Sequence, residues 1–311
     1  MPARGLSLLS SLVGDRRGGN CHKTAPCLAQ PCLLTRTAGE GGVGACHTGR
    51  MDLNGSPVTA ADLAPLGLVG FGHFTSMRVE TGPAVRGLTL HLDRVIQDCR
   101  TVFHTELDPD RVRELLRRAL TEVELPVIAR VTVFDPAIEL GKTGSPADPQ
   151  VLITTRPATN VAPGPLRLQS AVYARDVPNV KHLGLFGAMH HRAQAQRAGF
   201  DDVVFTTPDG TVSEIATSNI AFITPEGTLV WPHADVLAGT TMRLIHQVLD
   251  EPVTTERVTL SQLGVFAGAI ATNAAVGVRP VASIDDIEWK SDHPLIAAVR
   301  GEYEAIPAQR I

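Results

Sequence analysis

Lysine is scarce in this chain, at positions 23, 142, 181 and 290 alone, although Lys and Arg together number 28. A lone lysine is ordinarily a solvated surface residue. It becomes a base or nucleophile at neutral pH where an apolar or cationic setting depresses its pKa, so each of the four, Lys181 included, is worth examining. Glu214 follows the turn Pro208-Asp209-Gly210 and is either an exposed strand glutamate or a working acid. Gly239-Thr240-Thr241 precedes apolar Leu244, Ile245, Val248 and Leu249 and so opens a helix. A helix N-terminus offers free N–H groups and a positive dipole end to a phosphate, and glycine allows close approach. The same residues would serve equally well as a threonine N-cap. Arginines at 78, 94 and 130 could grip phosphate or carboxylate in bidentate fashion, or face solvent. His190-His191 suggests a metal only superficially, because adjacent helix residues face about 100° apart and no cysteine or carboxylate is spaced to join them.

Several elements must position these residues. Phe74–Val79 and residues 85–90 read as strands around the turn Thr81-Gly82-Pro83. Apolar residues recur at helical spacing over His91–His104 and Asp110–Val123. Val127–Phe134 and Val151–Thr155 read as strands, and the Pro-rich stretch 157–169 as a connection. Beyond it, His182–Ala198 is expected to be a helix. A meander follows over Asp202–Thr206, Ser218–Ile223 and Thr228–Trp231. A helix near 241–249, a strand near Ala269–Thr272 and a helix after Asp292 complete the chain. The order is not a regular βαβ alternation, which argues against a doubly wound nucleotide fold.

Residues 1–50 differ from the rest, being rich in Gly, Arg, Ser and Cys and nearly free of acids. They are expected to be a disordered leader or an over-long start, with translation beginning at Met51. Four of the five cysteines (21, 27, 32, 46) fall there, without the paired spacing of a zinc ribbon. Cys99 alone lies in the body, which reads as that of a cytoplasmic, reducing-compartment protein. A hydrophobic share of 43% and a net charge of −4 are ordinary for a globular chain; they point to neither nucleic acid nor membrane as a partner.

Five segments, in order, resemble the class IV aminotransferase family. They are Gly72–Val79 with His91-Leu92-Asp93-Arg94; Val180-Lys181-His182-Leu183-Gly184 running on to Asp202; Gly210–Ile220; Val236–Arg243; and Thr272–Val281. The resemblance spans about 52–285 and implies an α+β, two-domain fold-type IV architecture like that of D-amino acid aminotransferase. A smaller α+β domain over 51–160 and a larger barrel-like one over 161–311 would hold pyridoxal 5′-phosphate (PLP) between them. It further implies a Schiff base at Lys181, which also acts as catalytic base. Glu214 would face the pyridine nitrogen. Arg94, Gly239, Thr240, Thr241 and Asn273 would hold the phosphate, and a homodimer would complete the pocket.

Arg130, then Arg78, are the candidates for a substrate carboxylate, and Thr75 or Ser76 could donate a proton. Two features depart from the family's branched-chain transaminases. Phe186 stands five residues after the lysine, where a tyrosine usually meets the cofactor's phenolic oxygen, and Met242 displaces the arginine of the phosphate turn to 243. Lys181-His182-Leu183 and Phe74–Val79 are closer to 4-amino-4-deoxychorismate lyases. An amino-acid aminotransferase is the leading expectation. A lyase releasing pyruvate and 4-aminobenzoate, and a PLP-binding member with little turnover, remain as alternatives.

Overall fold

In the computed structural model, which describes residues 49–250 and 252–311, the N-terminal half follows from period-two alternation along its strands. The elements are β1 (Met51–Leu53), β2 (Ser56–Pro57), α1 (Ala60–Leu68), β3 (His73–Val79), β4 (Ala84–Val85), α2 (Leu88–Phe103), α3 (Pro109–Ala119), β5 (Val127–Phe134) and β6 (Gln150–Pro157). Strands β2-β1-β6-β5-β3 make an antiparallel sheet in that order. Met77 and Val79, Ala129, Val131 and Val133, and Val151 and Ile153 point one way into a core closed by α2 and α3. Alternate residues Phe74, Ser76, Arg78 and Arg130 therefore emerge on the opposite face. Helix α3 starts where Asp108 caps it and Pro109 occupies its first turn, positions that cost nothing because those N–H groups lack helical partners.

The second half contains β7 (Leu166–Val172), α4 (Phe186–Arg197), β8 (Asp202–Thr206), β9 (Val212–Ile215), β10 (Asn219–Ile223), β11 (Leu229–Pro232), α5 (Thr240–Val248), β12 (Val253–Glu256), β13 (Gly268–Asn273), β14 (Gly277–Ile284), β15 (Ile287–Glu288), α6 (Pro294–Ala305) and β16 (Gln309–Arg310). The sheet order is β12-β11-β10-β13-β14-β7-β8-β9, with β15 beside β14. Its two ends meet: Val212 N–H donates to Val258 O (2.8 Å), and Leu260 N–H to Gly210 O (3.0 Å). The sheet is thereby rolled into a barrel-like form. Leu168, Val204, Ile220, Phe222 and Val281 fill its inside, while α5 and α6 cover Ala221, Ile223, Trp231 and Ile270 outside. Strands buried on both faces need continuous apolar runs, which is why Asn219-Ile-Ala-Phe-Ile223 does not alternate.

The structure differs from the sequence expectation at three places. Of the strand expected at 85–90 only Val85 pairs, as the end of β4 against β16, and α2 begins at Leu88. The presumed connection 157–169 already contains the start of β7, a central strand of the large sheet. The helix expected from His182 begins at Phe186, because residues 181–183 pair with β3. The expected leader and its four cysteines lie outside the described residues.

Candidate active site

Lys181 is fixed through its backbone from two sides. Its N–H donates to Asp98 Oδ2 on α2 (3.1 Å), and its carbonyl accepts from Phe74 N–H on β3 (2.8 Å). One residue pair further on, Leu183 N–H donates to Gly72 O (2.9 Å). The side chain lies 5.0 Å from the Phe74 ring centroid. Burial, then the positive charges of Arg94 and Arg175, push its pKa down to about 7 against the opposing pull of Glu214. Its amine is thus substantially neutral near physiological pH, as a nucleophile or proton acceptor must be.

Glu214 is no exposed strand glutamate. It is buried on β9, where loss of solvent raises its carboxyl pKa while Arg175 and Lys181 oppose the rise. Arg175 Nη1 stands 3.7 Å from Glu214 Oε1, and each side chain is 9% exposed. The same arginine donates from Nη2 to Val180 O (2.9 Å), so one guanidinium ties the glutamate to the residue preceding Lys181.

Around the start of α5 the polar groups are unusually free. The N-cap is Gly239, with no side-chain cap, which leaves the first-turn N–H groups of Thr240 and Thr241 without intrahelical partners. Gly239 is held by Asn219, whose Oδ1 accepts from Gly239 N–H (3.1 Å) and whose Nδ2 donates to Leu237 O (2.7 Å). A Cβ on residue 239 would run into that oxygen. At the left-handed Gly87 (φ +67°), just before α2, an added Cβ would press on Leu244 and Thr240, so the two helix starts adjoin. Arg94, one turn and a half into α2, feels the charges of Arg243 and Arg175. Burial pulls it down to about 10, still cationic at neutral pH. Arg94 Nε, Thr241 Oγ1 and Thr272 Oγ1 are buried without hydrogen-bond partners. Tyr303 reaches towards Thr241, but not in hydrogen-bonding geometry. Unmatched buried donors and three neighbouring arginines suit an anion.

The remaining expected site residues fall in different surroundings. Arg130 Cζ sits 3.6 Å over the Phe74 ring, and Nε donates to Thr132 Oγ1 (3.2 Å). Its charge reaches Lys181. Arg78 is engaged with Glu80 (2.9 Å), Thr159 O (2.9 Å) and Asn160 Oδ1 (2.8 Å). Thr75 is turned towards α2, where its hydroxyl meets Arg94 and His91. Asn273 shapes its own turn, accepting from Ala275 and Val276 N–H (3.0 Å each) and donating to Ser218 Oγ (2.9 Å). Phe186 is 83% exposed and stacks on His190, so its ring points into solvent. A pocket of about 260 Å³ opens beside His91, Arg78 and Tyr303, between the 159–163 and 274–277 loops. Among the described residues no His, Cys, Asp and Glu side chains gather in a metal-binding group.

Arg175 and Asp98 escaped the sequence reading, and His91 and Thr272 stood in quoted segments without a role. Spacing could have raised three of them. His91 and Asp98 flank Arg94 at i−3 and i+4 on one helix face, and Thr272 adjoins Asn273 within a segment already singled out. Arg175 carries no such signal, because the turn from residue 175 to Lys181 is irregular.

The family model for amino-transferase class IV matches residues 72–284, which include all these groups. The chain belongs to the class IV amino-transferase family. A relative named "Probable branched-chain-amino-acid aminotransferase" from Rickettsia felis is 31% identical over 126 residues, 38% of this chain and 43% of that protein. The chain thus spans under half the length of that relative. Among solved structures, a branched-chain amino acid aminotransferase of T.th. with pyridoxamine 5′-phosphate is similar at TM-score 0.72 and 21% identity, over 82% of this chain and 92% of that one. A candidate 4-amino-4-deoxychorismate lyase from Legionella pneumophila is similar at TM-score 0.69 and 22% identity, over 78% and 92%. These likenesses establish the fold-type IV architecture.

Proposed function

We propose that this protein is a PLP-dependent aminotransferase acting on an amino acid or related amine. The observation that carries the reading is a buried lysine of depressed pKa that feels the charges of Arg94, Arg175, Glu214 and Arg130. The orphaned Arg94 Nε and Thr241 Oγ1 fit the cofactor's phosphate, with the Thr240 and Thr241 N–H groups beside them. Thr272 joins this set in place of Asn273, whose side chain is used by its turn. When bound, PLP supplies an aldehyde that captures amines and a ring that stores the electron pair left at a substrate carbon.

Each residue then has a task. Lys181 anchors the cofactor and, when released, takes the α-proton from substrate on Nζ and returns it. Glu214, its charge supported by Arg175, holds a proton on the pyridine nitrogen. Arg130 is the cation for the substrate carboxylate, since no acidic side chain pairs with it among the described residues, whereas Arg78 is fully engaged. The stack on Phe74 keeps its guanidinium near the lysine. Two domains meeting near residue 160, a homodimer and a cytoplasmic setting complete the reading.

A lyase acting on aminodeoxychorismate is the second reading, supported by the likeness to the Legionella protein. Thr75 is a poor acid for it, because its hydroxyl is occupied by Arg94 and His91; Ser76, on the open face, is better placed.

The test is to supply PLP, reduce with borohydride and map the labelled peptide. A label on Lys181 is expected. Amino donor with keto acid, and separately aminodeoxychorismate, then distinguish transfer from pyruvate release. No reducible band would sink both readings.

A further inference from the structure

Thr75 on β3 and His91 and Arg94 on one face of α2 form a directed chain. Arg94 Nη2 lies 2.6 Å from Thr75 Oγ1 and 3.2 Å from His91 Nδ1, and Thr75 Oγ1 lies 2.7 Å from His91 Nδ1. A guanidinium only donates, so it occupies a lone pair of the threonine oxygen. The same cation lies 3.2 Å from Nδ1, and a proton on Nδ1 would point beside a guanidinium that can only donate, so an unprotonated, accepting Nδ1 fits both contacts best. In that assignment His91 carries its proton on Nε2, and the threonine hydroxyl gives its single hydrogen to Nδ1. Burial, then the charges of Arg94 and Lys181, hold the imidazole pKa well below its usual range, so the ring is neutral.

We infer that His91 is a positioning residue for the phosphate cation: through Thr75 it fixes the rotation of the Arg94 guanidinium so that Nε and Nη1 stay free for an anion. The elements support this. Thr75 is on β3 and His91 and Arg94 are on α2, all in the polar margin of an otherwise apolar sheet–helix interface. His91 is 1% exposed and Thr75 also 1%, so water does not compete for these bonds. Without the acceptor on His91, Thr75 would be free to rotate its hydrogen towards Arg94, and the arginine would lose its fixed partner. Arg94 Nε is buried without a partner, so the arrangement leaves a donor ready for a ligand rather than satisfying it internally.

The inference rests on the proposed cofactor, and the experiment separates the two. Absorbance titrations with PLP and with pyridoxal, which has the same aldehyde and ring but no phosphate, are made on wild type, His91→Leu, His91→Asn, Thr75→Val and Thr75→Ser, with thermal melts confirming folding. Wild type is expected to prefer PLP strongly. His91→Leu and Thr75→Val are expected to lose about tenfold or more of that preference, as for a lost bond to a charged group, with pyridoxal binding unchanged. His91→Asn, whose Oδ1 can accept where Nδ1 does, and Thr75→Ser are expected to restore it. If both ligands weaken together, or the preference is untouched, the positioning role is refuted while the cofactor reading stands. If wild type itself does not prefer PLP, the phosphate site fails, and the inference with it. Should His91→Leu not fold, the pair Thr75→Val and Thr75→Ser decides alone.

Discussion

At the α5 end of the site, donors stand without partners, whereas at the β3–β5 end most cations are already engaged. Arg94 Nε, Thr241 Oγ1 and Thr272 Oγ1 are buried and unmatched, and they sit on helix starts and a strand locked by Asn219 and Gly87. Across the site Arg78 spends its donors on Glu80, Thr159 and Asn160, leaving Arg130 as the nearest cation to Lys181 from that sheet. A rigid end with fixed, unfilled donors suits a group that every reaction shares. An end built from one stacked arginine and two loops suits a ligand that varies among relatives.

The sharpest way to break the comparison is at the lysine between the ends. Lys181→Ala should abolish borohydride-trapped cofactor and lower turnover by about 10²–10⁴-fold or more, the range for a positioned acid–base group. In wild type the rate of covalent capture should rise with pH and reach half its maximum near pH 7, because the amine must be neutral and its pKa is lowered to about 7. A midpoint near 10 would show that the site does not depress it.

Next in size is the buried pair that supports the lysine. Arg175→Met should cost up to about 3–5 kcal/mol of stability if Glu214 stays charged, since it removes the arginine paired with a buried carboxylate and leaves Lys181 as its remaining cation. Thermal melting measured against pH checks this. The loss should be smaller at acid pH, because burial has already raised the Glu214 pKa and protonation removes the unpaired charge. A loss independent of pH would mean that packing, not charge, is what Arg175 provides.

The substrate end predicts a difference between two arginines. Arg130→Gln should raise KM for a carboxylate-bearing donor about 10–100-fold with a smaller change in kcat. Arg78→Gln should alter KM little, since its guanidinium already ties β3 to the 159–160 loop. Equal effects would erase the distinction drawn between them. Smallest of all, Phe186→Tyr should leave stability within about 0.5 kcal/mol and the cofactor spectrum unchanged, because the ring is exposed. A spectral shift would place residue 186 against the cofactor after all.

Sequence carried the strands β3 and β5, the helices α2 and α5, and the residues on quoted segments, because alternation, helical spacing and glycine-led helix starts are local. It did not carry β7, since Leu166–Val172 alternates with polar residues inside a Pro-rich region and gains its strand state from β14 and β8. Phe186 was placed by counting five residues from Lys181, which presumes that the chain there keeps a known course. In the structure the 181–183 segment pairs with β3 before α4 starts, and the ring leaves the site. Arg175 shows the same limit. Its partner Glu214 is 39 residues away, and only the folded barrel brings the two together. His91 was within reach, but a histidine on a helix has no visible purpose until the threonine opposite it is known.

Strand β3 is the last strand of the five-stranded sheet, and its outer edge is occupied at residues 72–74 by the very segment that carries Lys181. Exposed strand edges invite pairing with other chains. Any opening that frees the lysine loop from β3 therefore also bares a template for self-association. The backbone bonds that hold the lysine segment in place are thus the same bonds that keep this edge covered.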